Sequence, residues 1–494
     1  MLKNLFVPVA VTLGCVATPS VFAQNIASNA STLEEVVART VITHPEVQAR
    51  FQDFQSSLEG QNVARGALLP EVNVQGWVGQ EWRGNSGDYS STNWSRTGYS
   101  VQLRQLLFDG FHTINNVKQL GYEKLSGYYE LLATVDQLAL EAVNAYLDVQ
   151  RYREMERLAQ ENYQLHNGTL ERLRERSQSG VGRGVDLEQA FGRLALAQTN
   201  LMTESNNLND VTQRYRRITG EFPPPVLTPV PDVSNLLPKD AENFLGSLKA
   251  NPSLLSKQAL VQASQAGVAA AKGLHSPTLE FRASTGKDRD QPDTPYGNAH
   301  RSNVQLVLSY NLFRGGADAA RVRQTAAQSY AARDVRDYTC RNVQQELAIA
   351  WNSIMKLREQ LPFLREHEAA TSKVRLAYMQ QFQIGERTLL DLLDTENELF
   401  DSRRALVNAQ YDLKKAEYRW LALSNRILQA TSTAQPYDRA PDEASALELT
   451  DDALAPCLAP VPDTRNLTPI RVNYRDNMQP PTLQPVSTPA RGQW

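Results

Sequence analysis

Residues 43–74 read THPEVQARFQDFQSSLEGQNVARGALLPEVNV, and residues 250–281 read ANPSLLSKQALVQASQAGVAAAKGLHSPTLEF. Pro45 falls on Pro252 and Pro70 on Pro277, both at a shift of 207. Further along, LLFDG (106–110) matches NLFRG (311–315) at a shift of 205. Gly180 and Asp186 match Gly385 and Asp391 at the same shift. A shift held over so many landmarks marks a tandem duplication. The copies span 32–220 and 240–428, and the proline-rich stretch 221–239, EFPPPVLTPVPDVSNLLPK, joins them.

Each copy repeats one order of elements. A helix is expected over about 32–66 and again over about 240–273, stopping shortly before Pro70 and Pro277 because proline disfavours helix in the residue before it. Two strands follow in each copy, at about 71–82 and 97–108, then at about 278–286 and 302–313. The period is two: Val72, Val74 and Val78 oppose Asn73 and Gln75, and Val304, Leu306 and Leu308 oppose Asn303 and Gln305. Runs of 9–12 such residues have the length of a tilted membrane strand. Long helices come next. Tyr128, Leu132, Val135, Ala139, Ala142, Tyr146 and Val149 step alternately by four and three, as do Val343, Leu347, Ala350, Ile354, Leu357, Leu361 and Leu364. Similar heptads run from Leu187 to Ile218 and from Leu392 to Ile427. A sustained 3.5-residue repeat means coiled-coil packing. Pro362 is expected to kink its helix or open its hydrogen bonds locally.

The rest of the composition excludes more than it suggests. A net charge of −3 over 494 residues leaves no nucleic-acid footprint. Residues 1–23 have the basic, apolar and small-residue order of a secretory signal peptide, with cleavage expected after Ala23. A lipoprotein reading at Cys15 is the alternative, and Thr12 fits it poorly. Beyond the leader no run of about 18 apolar residues predicts a spanning helix. Three cysteines make no disulfide framework, and Cys340 and Cys457 are compatible with free thiols. Six scattered histidines lack metal-ligand spacing, no nucleophile–base constellation stands out, and neither catalysis nor a cofactor is expected. GVGRGVD (180–186) lacks the Lys-Ser/Thr ending and the preceding strand of a phosphate loop. Residues 430–494 hold ten of the 25 prolines and no heptad, the composition of a mostly disordered tail.

Four amphipathic strands cannot close a barrel, since the smallest membrane barrels need about eight. Open sheet edges are not tolerated in lipid. If the strands cross a membrane, several chains must share one barrel, and three chains supply twelve strands around a polar lumen.

The tandem halves, the two-strand insertions, LLFDG/NLFRG, YRRITG (215–220) and GERTLLDLLDTEN (385–397) resemble the TolC family of outer-membrane efflux and secretion ducts, over about 32–428. The resemblance implies a mainly α fold with a transmembrane β part. That fold is a homotrimeric channel-tunnel with a shared twelve-stranded barrel in outer-membrane lipid and an α-helical barrel crossing the periplasm. The implied partners are a periplasmic membrane-fusion adaptor and an inner-membrane ABC transporter or proton-driven pump. The non-lipidated leader and LLFDG look more like the type I secretion branch than the small-molecule efflux branch. A periplasmic coiled-coil protein without a pore is the reading from another class.

The resemblance also implies site residues. The aspartates six and nine after the glycine, Asp391 and Asp394, would form a pore-entrance ring of six carboxylates in a trimer, and such rings select for cations. Arg387 would hold the gate shut near Asp186, and Phe382 stands where the family carries tyrosine. The plainer reading makes Gly180 and Gly385 helix–turn–helix tips and Thr388 with Asp391 a helix cap. Capping leaves Asp394 and Arg387 unexplained, and the first copy has Gln189 where Asp394 stands.

Overall fold

The computed structural model describes residues 32–85, 88–180, 183–238, 244–288 and 299–457. The expected leader and the chain beyond Cys457 lie outside them. The first helix of each copy is in fact two. In copy one α1 spans Leu33–Thr43 and α2 spans Pro45–Gly66, and in copy two α5 spans Phe244–Ala250 and α6 spans Pro252–Gly273. The landmark prolines make the breaks. Pro45 and Pro252 push His44 and Asn251 into extended backbone and start new helices behind them. Each displaced residue then serves as the cap: Asn251 Oδ1 accepts from Leu254 N–H at 3.1 Å, and His44 Nδ1 from Glu46 N–H at 3.2 Å.

Strands β1 (Glu71–Asn85), β2 (Asp88–Phe108), β3 (Thr278–Asp288) and β4 (Ala299–Ser309) form one antiparallel sheet in the order β1-β2-β3-β4. The first hairpin runs further than its apolar alternation predicts, because the backbone ladder carries on through pairs such as Gln80–Ser95 and Gly84–Ser91. The last strand ends early, at Ser309 rather than about 313. Its partner β3 begins behind Pro277, and Thr278–Ser309 is the final pair. Asn311 then folds back, its Oδ1 accepting from Phe313 N–H at 3.3 Å.

The register puts one sign of polarity on each face. Val72, Val74, Val78, Val304, Leu306 and Leu308 are exposed on one. On the other, Glu71, Arg104 and Arg282 lie in one row across three strands. Glu280 takes Arg282 at 2.7 Å and also pairs with Arg104. Nearer the far end Asp288 takes Arg96 at 2.8 Å and the Trp77 indole N–H at 3.3 Å. The pairing of β2 with β3 is what joins the two copies in the sheet.

Helices α3 (His112–Gln178) and α7 (Ala317–Gln383) have 67 residues each, about 100 Å of helix. Pro362 lies inside α7 without ending it. Both long helices turn back, into α4 (Gly184–Thr219) and α8 (Leu389–Leu423). Helix α3 packs against α2, α4, α6 and α8, whereas α7 packs against α6 and α8. Twenty-seven residues of α3 are buried but only nine of α7, so α7 is the edge helix and keeps an open face. The main core gathers Tyr146 of α3, Tyr418 and Trp420 of α8, Val36 and Val37 of α1, and Val233 of the linker.

The end of the chain departs from the sequence expectation. Through Cys457 it is packed, with short helices α9 (Ile427–Ala430) and α10 (Asp451–Leu454). Closely spaced prolines disfavour a long helix but not an extended strap with spaced anchors. Tyr437 stacks on Phe51 with centroids 5.1 Å apart, Glu443 takes Lys124 of α3 at 2.8 Å, and Leu454 is fully buried. Cys457 is bonded to Cys340 of α7, across 117 residues of sequence. The free-thiol reading of these two cysteines is therefore corrected; sequence separation hid a pair that the strap brings together. Peptide mapping without reductant is expected to recover the Cys340–Cys457 crosslink. Closing a loop of that size is worth up to about 5 kcal/mol in the chain-entropy account. Cys457→Ser should accordingly lower the urea midpoint and expose residues 427–457 to protease.

Candidate functional site

The two helical hairpins end in tips built on glycine. Gly180 and Gly385 both have positive φ, +75° and +83°, which a side chain would strain. The second tip closes as a Schellman turn: Glu386 N–H donates to Gln381 O at 2.9 Å and Gly385 N–H to Phe382 O at 3.2 Å. Thr388 then starts α8 with a full capping box. Its Oγ1 accepts from Asp391 N–H at 3.2 Å, and Asp391 Oδ2 accepts from Thr388 N–H at 3.3 Å and from its hydroxyl at 2.8 Å. Asp186 makes no such cap on α4, because Arg183 stands where Thr388 stands in the second copy.

The sequence-predicted residues are brought together only in part. Arg387 stays on its own helix start. Its Nη1 lies 3.9 Å from Asp391 Oδ2, its Nε donates to Gln381 Oε1 at 3.1 Å, and its guanidinium sits 4.5 Å from the Tyr378 ring centroid. Among the described residues no ion pair joins it to Asp186. Phe382 turns inward to a small apolar cluster with Leu170, Leu173, Ala190, Leu389 and Leu393, and Arg176 lies 5.7 Å from its ring centroid. Asp394 is not a bare carboxylate: Arg193 of α4 pairs with it. That pair is half exposed and weak as a source of stability, but it removes charge from one member of the aspartate pair.

Arg193–Asp394 is one of a series across the seam between the two copies. Further along, Arg404 of α8 pairs with the buried Glu204 of α4. Beyond that, Arg151 of α3 takes Asp412 of α8 at 3.0 Å, and Lys415 of α8 pairs with Asp148 of α3. Within copy two, Arg375 of α7 takes Glu396 of α8 at 2.6 Å; burial pushes the Glu396 carboxyl up and Arg375 pulls it back. Sequence reading missed Arg193, Tyr378 and Arg176. Their partners lie on other helices or across a tip, where heptad position says which face a residue occupies but not which charge it meets.

The family model described as "Outer membrane efflux protein" matches residues 37–221 and 246–426, one match to each copy. The outer membrane efflux protein BepC of Brucella suis is 26% identical, over 76% of this chain and 80% of that protein. The outer membrane protein TolC of Escherichia coli is 25% identical over 88% and 92%, and the alkaline protease secretion protein AprF of Pseudomonas aeruginosa 23% identical over 74% and 79%. Among solved structures the Campylobacter jejuni CmeC outer membrane channel is similar in fold, with a TM-score of 0.74 at 14% identity over 82% of this chain and 90% of that one.

The capping box is directly testable. Thr388→Ala should cost about 1 kcal/mol. Amide exchange at residues 389–392 is then expected to quicken about fivefold, with the first tip unchanged.

Proposed function

The chain belongs to the outer membrane efflux protein family, and from this premise we propose that three copies form one exit duct for protein secretion of the ABC-driven type I kind. The observation that carries the duct reading is the sheet. It is apolar on one face and polar on the other, has two open edges, and is joined to helices about 100 Å long. Three such sheets edge to edge give a closed twelve-stranded barrel in the outer membrane, with Glu71, Arg104, Arg282 and their neighbours toward the lumen. The open face of α7 would meet the next copy, so that the helices close a second, periplasmic barrel.

The secretion assignment leans on the leader and LLFDG together with the similarity to AprF, whose name gives protease secretion. The similarity to BepC, named an efflux protein, favours the second reading, small-molecule efflux. The partners are a periplasmic membrane-fusion adaptor and an inner-membrane ABC transporter in the first reading, or a proton-driven pump in the second.

At the tip, Asp391 and Asp394 of three copies form the entrance ring, with Asp394 tempered by Arg193. The Arg387–Asp186 latch, which does not form within one chain, falls at the boundary between neighbouring copies. Phe382 takes no part in a hydrogen-bonded latch and holds its tip through apolar contact and the Arg176 guanidinium.

Purified trimer in planar bilayers should show single-channel conductance; a preparation with none sinks the duct. Replacing Asp391 and Asp394 with alanine should weaken block by multivalent cations from the periplasmic side at least about tenfold, and unchanged block removes the ring. Arg387→Ala, Asp186→Ala and Arg193→Ala should each raise the leak of the resting channel. Co-purification with an ABC transporter and its adaptor would support secretion, and capture of a proton-driven pump instead would reverse that choice.

A further inference from the structure

In the seam just above the tip a histidine is shut away with nothing to bond. His166 of α3 is 1% exposed, and neither ring nitrogen has a hydrogen-bond partner. Asn162, one turn earlier on α3, and Asn397 of α8 each leave a buried side-chain N–H donor unpartnered in the same seam. The stretch lies between two apolar layers: Leu158, Ala159 and Phe400 on one side, Leu170, Leu173, Leu389 and Leu393 on the other. A buried polar group without a partner costs stability, and a buried charge without one costs far more.

The groups facing His166 offer no counter-charge. On α3 its neighbours three and four residues away are Asn162, Tyr163, Thr169 and Leu170. From α4 the charged group that reaches it is Arg193, which opposes a second cation. From α8 the amide of Asn397 lies beside the ring and lends a charged ring slight support, without satisfying either nitrogen. Along α8 beside Asn397, Asp394 is paired with Arg193, Glu396 with Arg375 and Asp401 with Arg404.

We infer that His166 is a proton-operated wedge: on taking up a proton it separates α3 and α4 from α8 and favours the open entrance. The inference rests on the reading of the tip as the duct's gate. Burial, first of all, holds the imidazole below its ordinary value, and Arg193 adds to this. A separated seam would return the ring to water and to an ordinary pKa of about 6.5. The packed seam therefore binds fewer protons than the separated one. Its stability is full above about pH 6.5 and falls as pH drops below that value, by up to about tenfold in the equilibrium per pH unit for each histidine. Three copies around one entrance would steepen the response.

The experiment uses the full-length trimer in planar bilayers, with the periplasmic side taken from pH 7.5 to 5.0. Open probability of the parent is expected to rise at least about tenfold, and that of His166→Gln to stay flat. A parent with a flat profile, or a His166→Gln channel with the parent's profile, overturns the inference. His166→Leu, apolar and non-titrating, is the second variant and should also be flat. Hydrogen exchange, corrected for its intrinsic pH dependence, provides a readout without a channel. Residues 158–173 and 389–400 should lose protection at pH 5.0 in the parent and keep it in both variants; equal protection at both pH values in the parent also overturns it. Absence of conductance at every pH would count against the duct, and the exchange result would still decide the role of His166.

Discussion

A β-strand in hydrocarbon must have every backbone N–H and C=O paired, and this sheet has two edges it cannot pair alone. Everything else in the chain is compatible with that constraint and much of it is arranged around it. One face is mainly apolar and the other mainly polar, so only one face can meet lipid. The β2–β3 pairing makes the two copies one continuous sheet, leaving β1 and β4 free to meet other chains. The long helices repeat the situation outside the lipid. There α3 is enclosed by its own chain and α7 is not.

The two kinds of helix contact differ in chemistry. Within a copy, α3 with α4 and α7 with α8 are coiled coils built on apolar heptads, with ion pairs such as Arg375–Glu396 added beside them. Between copies, α3 and α4 meet α8 through apolar layers, Leu158 with Phe400 and Leu170 with Leu389 and Leu393, interleaved with Arg151, Asp148, Glu204, Arg193 and the unpartnered His166. The polar members fix which residues face one another across the seam, and the apolar layers supply its buried area.

The strap formed by residues 427–457 works on the opposite end of that seam. It crosses α3 at Lys124 and Tyr128, touches α6 at Gln258, and is bonded to α7 through Cys340. The helices are tied together there by apolar anchors and one covalent link. That tie lies far along α3 and α7 from the glycine tips, where Gly385 and the Thr388–Asp391 box hold one hairpin's own turn.

Much of this was written in the sequence. The 205-residue shift gave the duplication, the period-two and heptad patterns gave strands and coiled coils, and Thr388 with Asp391 gave the cap, because each is a local rule read over a few residues. Even the breaks at Pro45 and Pro252 follow from a local steric rule. What the tertiary structure alone decided are meetings between residues far apart in the chain: Cys340 with Cys457, Arg193 with Asp394, Phe382 with Leu170 and Arg176, and His166 beside Asn397 with neither ring nitrogen satisfied. Heptad phase fixes which side of a helix a residue occupies. Which partner waits there depends on how four helices and a strap are laid side by side, and no periodicity carries that information.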